Sequence, residues 1–255
     1  MILTVDIGNT TTVAGIFDGE DLRAHWRLYT VREKTSDEYG LTLKGLLINN
    51  SIEPDSIKGA IISCVVPSLR DVFVSALREF LGVRPVVVEP GIKTGISISV
   101  DDPREVGADR IVNAVAGYHL YGGNIIIVDF GTAITFDYIT DRGEYKGGVI
   151  APGIGVSADA LFKRASRLPR VDVSKPRTVV GKNTVECIRA GIFYGFVGLV
   201  EGIIERMKRE LGTSPRVIAT GGYAASIAEQ IEAIEKVDEF LVLRGLRILY
   251  EVNGR

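Results

Sequence analysis

The chain has little of several things, and each shortage excludes something. Its two cysteines, Cys64 and Cys187, stand far apart with no metal-ligand spacing around either. A disulfide framework and a cysteine metal centre are therefore not expected, and both thiols, set in apolar surroundings, are expected to be buried. Of the two histidines, His25 falls on the polar side of an alternating segment and His119 near a helix end with no triad partner in the sequence. Both read as structural or solvated. No apolar run approaches the ~20 residues that a bilayer crossing demands, so no membrane partner is expected. A formal net charge of -2 leaves no basic footprint, which argues against nucleic acid. There is no Gly-x-Gly-x-x-Gly, so a Rossmann dinucleotide site is unsupported. The segment VVGKNT at 179–184 ends like a Walker loop, but Pro176 stands where its first Gly should be and Asn183 at the hydroxyl position. One Gln and seven Asn suit a heat-adapted protein and suit a biased genome equally well. The first motif begins almost at Met1, leaving no room for a targeting peptide, and reduced cysteines fit a cytoplasmic setting.

What remains is an ordinary globular composition, 46% hydrophobic and 24% charged over 255 residues. Short apolar runs at 2–5 and 13–17 read as strands. Leu22, Ala24, Trp26 and Leu28 alternate with Arg23, His25 and Arg27, the period of a half-buried strand. Helices are expected at 41–48 and, opening on Pro67, at 69–81. GAIISCVV and PVVVE read as buried strands. Tyr121-Gly122-Gly123 marks a boundary, dividing the chain into halves 1–118 and 119–255. Beyond it come strands at 125–129 and 134–139 and a long helix at 184–211. That helix carries one apolar stripe, with Gly191, Gly195, Gly198 and Gly202 spaced for close approach of another helix, from this chain or from a second copy. RVIATGGYAASIAEQIEAIE is then strand, Gly-Gly turn and helix. The alternation gives an α/β protein, and two similar halves facing each other would leave a cleft between them.

One phrase occurs twice. ILTVDIGNTTTVAGIFDGE at 2–20 and IIIVDFGTAITFDYITDRGE at 125–144 share an apolar run, Asp-x-Gly, small hydroxyl residues and a second apolar run. Each reads as a β-hairpin whose turn offers backbone N–H groups with little side-chain bulk, a cradle for phosphate oxygens. Thr10, Thr11 and Thr132 add hydroxyls. Asp6 and Asp129 end their strands, where a carboxylate can hold a phosphate-bridging cation. A lone Asp-x-Gly would be only a turn. Two copies, each near the start of a half, point to phosphate. A third cluster, DDPREVGADRIVNAVAGY, reads as a helix capped at Asp102 with Pro103 first and Glu105 closing a capping box. Asp109 and Arg110 then fall in its early turns just after Gly107. There a carboxylate can accept a hydroxyl proton and a guanidinium can bind an anion, although a solvated Asp and Arg would read the same.

Together DIGNT at 6–10, GADR at 107–110, DFGTAIT at 129–135, GGVIAPG at 147–153 and TGGYA at 220–224 resemble the type III pantothenate kinases, as does the closing FLVLRGLRILYE. The resemblance runs from Met1 almost to the C-terminus. It implies the actin-like ATPase fold, two duplicated ribonuclease-H-like halves around a nucleotide cleft, and ATP-dependent phosphorylation of pantothenate to 4'-phosphopantothenate, the first step of coenzyme A biosynthesis. It also implies roles. Asp6, Ile7, Gly8, Asn9, Thr10, Thr11, Thr12, Val13 and Thr132 would bind ATP, with Asp6 positioning Mg²⁺. Gly107, Ala108, Asp109, Arg110 and Thr184 would contact pantothenate, Asp109 being the catalytic base. Asp129 would hold a monovalent cation, K⁺ or NH4⁺. A homodimer is implied, because a second subunit helps form the substrate pocket. The family often carries a substrate-touching Tyr where this chain has Val100, a departure that bears on pantothenate affinity. The competing readings are a kinase of the same fold acting on another small hydroxy acid, a non-catalytic nucleotide-binding regulator, and an actin-type assembly protein.

Overall fold

The computed structural model describes residues 1–165 and 168–254. In chain order its elements are β1 (Ile2–Ile7), β2 (Thr11–Asp18), β3 (Asp21–Tyr29), α1 (Ser36–Asn49), β4 (Gly59–Cys64), α2 (Pro67–Leu81), β5 (Val86–Val87), β6 (Ser97–Ile98), α3 (Ala108–Tyr121), β7 (Ile125–Phe130), β8 (Ala133–Ile139), β9 (Glu144–Pro152), α4 (Ile154–Arg164), α5 (Thr184–Leu211), β10 (Arg216–Gly221), α6 (Ala224–Ala228), β11 (Lys236–Val237) and α7 (Leu241–Asn253). They fall into two units, Met1–Leu120 with Leu241–Arg255, and Tyr121–Phe240.

In unit 1 the strands lie in the order β3-β2-β1-β4-β5. The β1–β2 and β2–β3 pairs are antiparallel, and β4 and β5 return parallel. Leu3, Val5, Ile7 and Ile62 join Tyr39, Leu43, Phe73 and Leu77 in one core, so α1 and α2 cover that face. Because side chains alternate along a strand, Thr4, Asp6, Ile61 and Ser63 take the other face. There Ile61 packs with Ile111, Val112 and Val115 of α3 and Leu246 and Leu249 of α7. The linear pattern gives residues 241–255 to the second half; the structure gives them to unit 1. The reason is burial, since Leu241, Leu243, Leu246 and Leu249 are fully covered there, and Gly245 lets α7 approach Val112.

Within unit 2 the order is β9-β8-β7-β10-β11, with β7–β8 and β8–β9 antiparallel and β10 and β11 parallel. This repeats unit 1 strand for strand, so the phrase written twice in the sequence opens the same sheet twice. Ile126, Val128, Phe130 and Phe136 face Phe193, Val197, Val200 and Ile204 of α5; Asp129 takes the opposite face.

Two expectations change on the way. The capped segment at 102 does not lead into a long helix. Asp102 caps only the 3-10 turn Pro103–Glu105, and α3 starts afresh at Ala108. Residues 109 and 110 are thereby moved to a helix's first turn. The α5 glycines, expected to seat another helix, seat none among the described residues, and a Cβ at Gly202 would meet only Arg206 of the same helix, at 3.0 Å. A Cβ at Gly191, Gly195 or Gly198 would meet open space among the described residues. By length and composition α5 is also apolar enough to cross a membrane, and only 28% of its most apolar window is buried. No single apolar run announces this, because charged and glycine residues interrupt it in sequence.

Candidate active site

The first hairpin turn is built by Gly8, Asn9 and Thr10 between β1 and β2. Gly8 N–H donates to Thr11 O at 3.1 Å. A Cβ on Gly8 would stand 2.8 Å from that same oxygen, so glycine is required here for closeness rather than for an unusual φ. The Gly8 N–H is thus spent inside the turn, and exposed Asn9 and Thr10 form its mouth. Ile7 and Thr12 are fully buried. The Thr12 hydroxyl turns to Thr30 Oγ1 at 2.9 Å, so these two side chains frame the turn; Thr11 and Val13 are half-buried on β2.

Asp6 lies at the end of β1, half-buried, in register with Ser63 of the neighbouring parallel strand. The Ser63 hydroxyl donates to Asp6 Oδ1. Ser63 is fully buried, so one oxygen of the carboxylate is tied down by a side chain 57 positions away. Nothing in the local sequence signals that tie; only the sheet pairing creates it. Beside it Cys64 Sγ donates to Val66 O at 3.1 Å, and burial pushes its thiol up. Both cysteines were expected to be buried. Cys64 is only partly so, and Cys187 is exposed because the outer side of α5 is uncovered.

On the same face of unit 1 as Asp6 sits the start of α3. Asp109 Oδ1 accepts from the Arg110 backbone N–H at 2.8 Å. A Cβ on Gly107 would stand 2.5 Å from that oxygen. Gly107 is therefore the gap into which the carboxylate folds, which is the physical content of the GADR spacing. Burial raises the Asp109 pKa above its ordinary value, against the Arg110 N–H and guanidinium, which lower it. Ala108 and Arg110 are half-buried around it, and Val100 is half-buried upstream.

The second hairpin is one residue tighter. Ile7 pairs with Thr12 across the first turn, whereas Phe130 pairs with Ile134 across the second. Gly131 N–H bonds Ala133 O at 3.1 Å, and exposed Thr132 tips the turn. Gly221, ending the adjacent β10, has φ +95, and a Cβ there would stand 2.5 Å from Asp129 Oδ1. A side chain at 221 would be strained in backbone and would displace the carboxylate. So TGGYA walls the Asp129 oxygens, a contact the sequence pattern did not reveal. Thr184 is not brought to this carboxylate. It opens α5 after the Asn183 cap, on the other side of the sheet, and lines an apolar groove of about 870 Å³ with Ser157, Leu161, Ile188 and Gly191.

Hard oxygen donors suit Mg²⁺ or a monovalent cation, and each Asp-x-Gly turn offers one carboxylate. Among the described residues no three His, Cys, Asp or Glu side chains gather into a metal cage. A cation here would accordingly be shared with phosphate oxygens, which fits a single anchored Asp6.

A family model described as type III pantothenate kinase matches residues 2–206. The type III pantothenate kinase of Moorella thermoacetica is 53% identical over 253 residues, covering 99% of this chain and 100% of the relative. That of Geobacillus thermodenitrificans is also 53% identical, covering 99% and 98%. Among solved structures, a conserved Baf-family protein from Campylobacter jejuni is similar with a TM-score of 0.60 at 20% identity, covering 98% of this chain and 97% of that one. The inorganic polyphosphate/ATP-glucomannokinase of an Arthrobacter strain gives 0.50 at 14% identity, covering 97% and 96%. At such identities the likeness speaks to the fold alone, that of the sugar-kinase and actin-like ATPases.

Proposed function

The chain belongs to the type III pantothenate kinase family, and from that premise we propose how its residues do the family's work. The reaction is transfer of the γ-phosphoryl group of ATP to pantothenate, for coenzyme A biosynthesis. Asn9, Thr10 and the turn around them receive the polyphosphate; Thr132, exposed at the tip of the second turn, is its own unit's candidate for an ATP contact. Asp6, held by Ser63, would hold the Mg²⁺ that accompanies the nucleotide, and Asp129 under Gly221 would hold a K⁺ or NH4⁺ ion. These cations, when bound, supply positive charge against the phosphates. Gly107 to Arg110 take pantothenate, with Val100 alongside. Asp109 accepts the proton of the terminal hydroxyl as that oxygen attacks the γ-phosphorus and the bond to ADP breaks. The protein's part is positioning and charge stabilisation.

The observation that carries this reading is the Asp109 carboxylate seated against Gly107, half-buried and with a raised pKa, because a base poised nearer neutrality is what proton transfer requires. Thr184 serves the same reaction from another position. Lying across its own sheet from Asp129, on the open glycine side of α5, it completes the pantothenate site of a second copy in a homodimer working in the cytoplasm. The two-copy reading also accounts for the apolar face of α5 without a membrane.

Incubating the protein with ATP, Mg²⁺, K⁺ and pantothenate should yield phosphopantothenate, detected by mass. Turnover of another hydroxy acid without this product would overturn the substrate assignment and implicate Val100.

A further inference from the structure

The segment that joins β3 to α1, residues 30–35, is fastened to the first phosphate turn. Thr30 Oγ1 donates to Gly8 O at 2.8 Å. Its single proton is thereby used, so in the 2.9 Å contact between Thr12 and Thr30 hydroxyls, Thr12 is the donor. Thr30 N–H donates to Thr10 O at 3.0 Å. The next residue is clamped as well. The hydroxyl of Tyr39, a buried side chain, donates to Val31 O at 2.9 Å and accepts from Val31 N–H at 3.0 Å. From the far side, the Thr35–Glu38 capping box fixes the start of α1.

Position 32 hangs between these two anchors, and it carries an arginine. Arg32 Nη2 donates to Asn9 Oδ1, at the tip of the turn, at 3.2 Å. Among the described residues no carboxylate lies within ion-pair distance of Arg32. The other cation of the segment, Lys34, is turned away over the Tyr39 ring, 5.5 Å from its centroid. An exposed arginine is ordinarily a solvated charge. This one is aimed at a turn that takes polyphosphate, by a segment whose backbone is bonded to that turn, and among the described residues no carboxylate pairs with it. A guanidinium meets phosphate oxygens with two parallel N–H bonds, and Asn9 Oδ1 is a neutral acceptor that such oxygens outcompete.

We propose that Arg32 is a nucleotide-binding residue, which leaves Asn9 to grip the polyphosphate of the bound nucleotide. This rests on the first hairpin being the nucleotide site. The test is calorimetric binding of a non-hydrolysable ATP analogue, with Mg²⁺, to the full chain and its variants. Arg32→Ala should weaken binding by ~10- to 100-fold, the range of a lost charge-assisted hydrogen bond. Arg32→Lys should fall between, having charge without the planar fork. Adenosine, lacking phosphate, should bind all three alike. Thr30→Val should weaken the analogue and Thr30→Ser restore it, because the hydroxyl ties the segment to Gly8 O and serine keeps that bond. Analogue binding by Arg32→Ala within about twofold of wild type, at unchanged Tm, would overturn the proposal, and so would a wild-type chain that does not bind the analogue. A wild type that binds it but makes no phosphopantothenate would instead defeat only the substrate assignment.

Discussion

At Asp109 chemistry and stability pull in opposite directions. Burial raises its pKa, so the folded chain binds this proton more tightly than the unfolded one does. The ionised form therefore costs stability in full above the native value, and the cost shrinks as the pH falls below that value and is gone below the unfolded one. Asparagine keeps the shape and can still accept from the Arg110 N–H without the charge. We expect Asp109→Asn to bind ATP normally, to lose transfer by ~10²-fold or more, the scale of a positioned base, and to melt no lower than wild type at pH 7 to 8. Wild-type turnover in that variant would remove Asp109 from the base role. The same sign governs the pH profile. Only the ionised carboxylate can take the hydroxyl proton, so the acid limb of kcat/KM should lie above the ordinary aspartate value of about 3.9. A limb at or below that value would mean that another group limits the rate. The residue types of this site were legible in the sequence, since Asp-x-Gly-Asn-Thr and Gly-Ala-Asp-Arg are local patterns. Ser63, Thr30 and Gly221 were not, because each reaches the site from another strand or segment.

At the scale of an element, α5 is the odd member. Its 28 residues carry Phe193, Val197 and Val200 against the sheet, while its glycines look outward. Four glycines in one helix cost about 0.8–1 kcal/mol each relative to alanine. That cost is offset only if something approaches closely. A Cβ at position 195 meets nothing among the described residues and Gly195→Arg improves helix propensity, so the single chain should keep its Tm or gain. If α5 seats a second copy, light scattering should report a monomer for this variant. Pantothenate turnover should fall sharply, because Thr184 no longer reaches a partner's site, while ATP binding persists. A dimer of undiminished activity would place the interface elsewhere. The helix's existence was plain from its three-to-four periodicity. The fate of its glycine side was not, since the same spacing serves a neighbour in the chain or a neighbour outside it.

For the whole molecule, the decisive fact is a topology used twice, with the chain's last helix returned to the first unit. Five buried aliphatic side chains, Leu241, Leu243, Leu246, Ile248 and Leu249, go with α7. At about 1.5–3 kcal/mol each they rival the entire stability of an ordinary domain, about 5–15 kcal/mol. Ending the chain at Phe240 should therefore unfold unit 1 preferentially. Hydrogen exchange should accelerate at β1 and β4 while β7 and β10 keep their protection, and equal protection in both sheets would refute the assignment of α7. Strand periods, the doubled Asp-x-Gly phrase and the GADR segment are properties of neighbouring residues, and the sequence by itself determined the α/β class, the two hairpins and the candidate base. Tertiary structure alone decided which unit owns α7, that Ser63 holds Asp6 and Gly221 covers Asp129, that Arg32 stands over the first turn, and that Thr184 lies across its sheet from the second. Each of those is a spatial relation between residues distant along the chain, set by strand register and by which face of a sheet has apolar surface left to cover, and neither quantity is written in any local stretch.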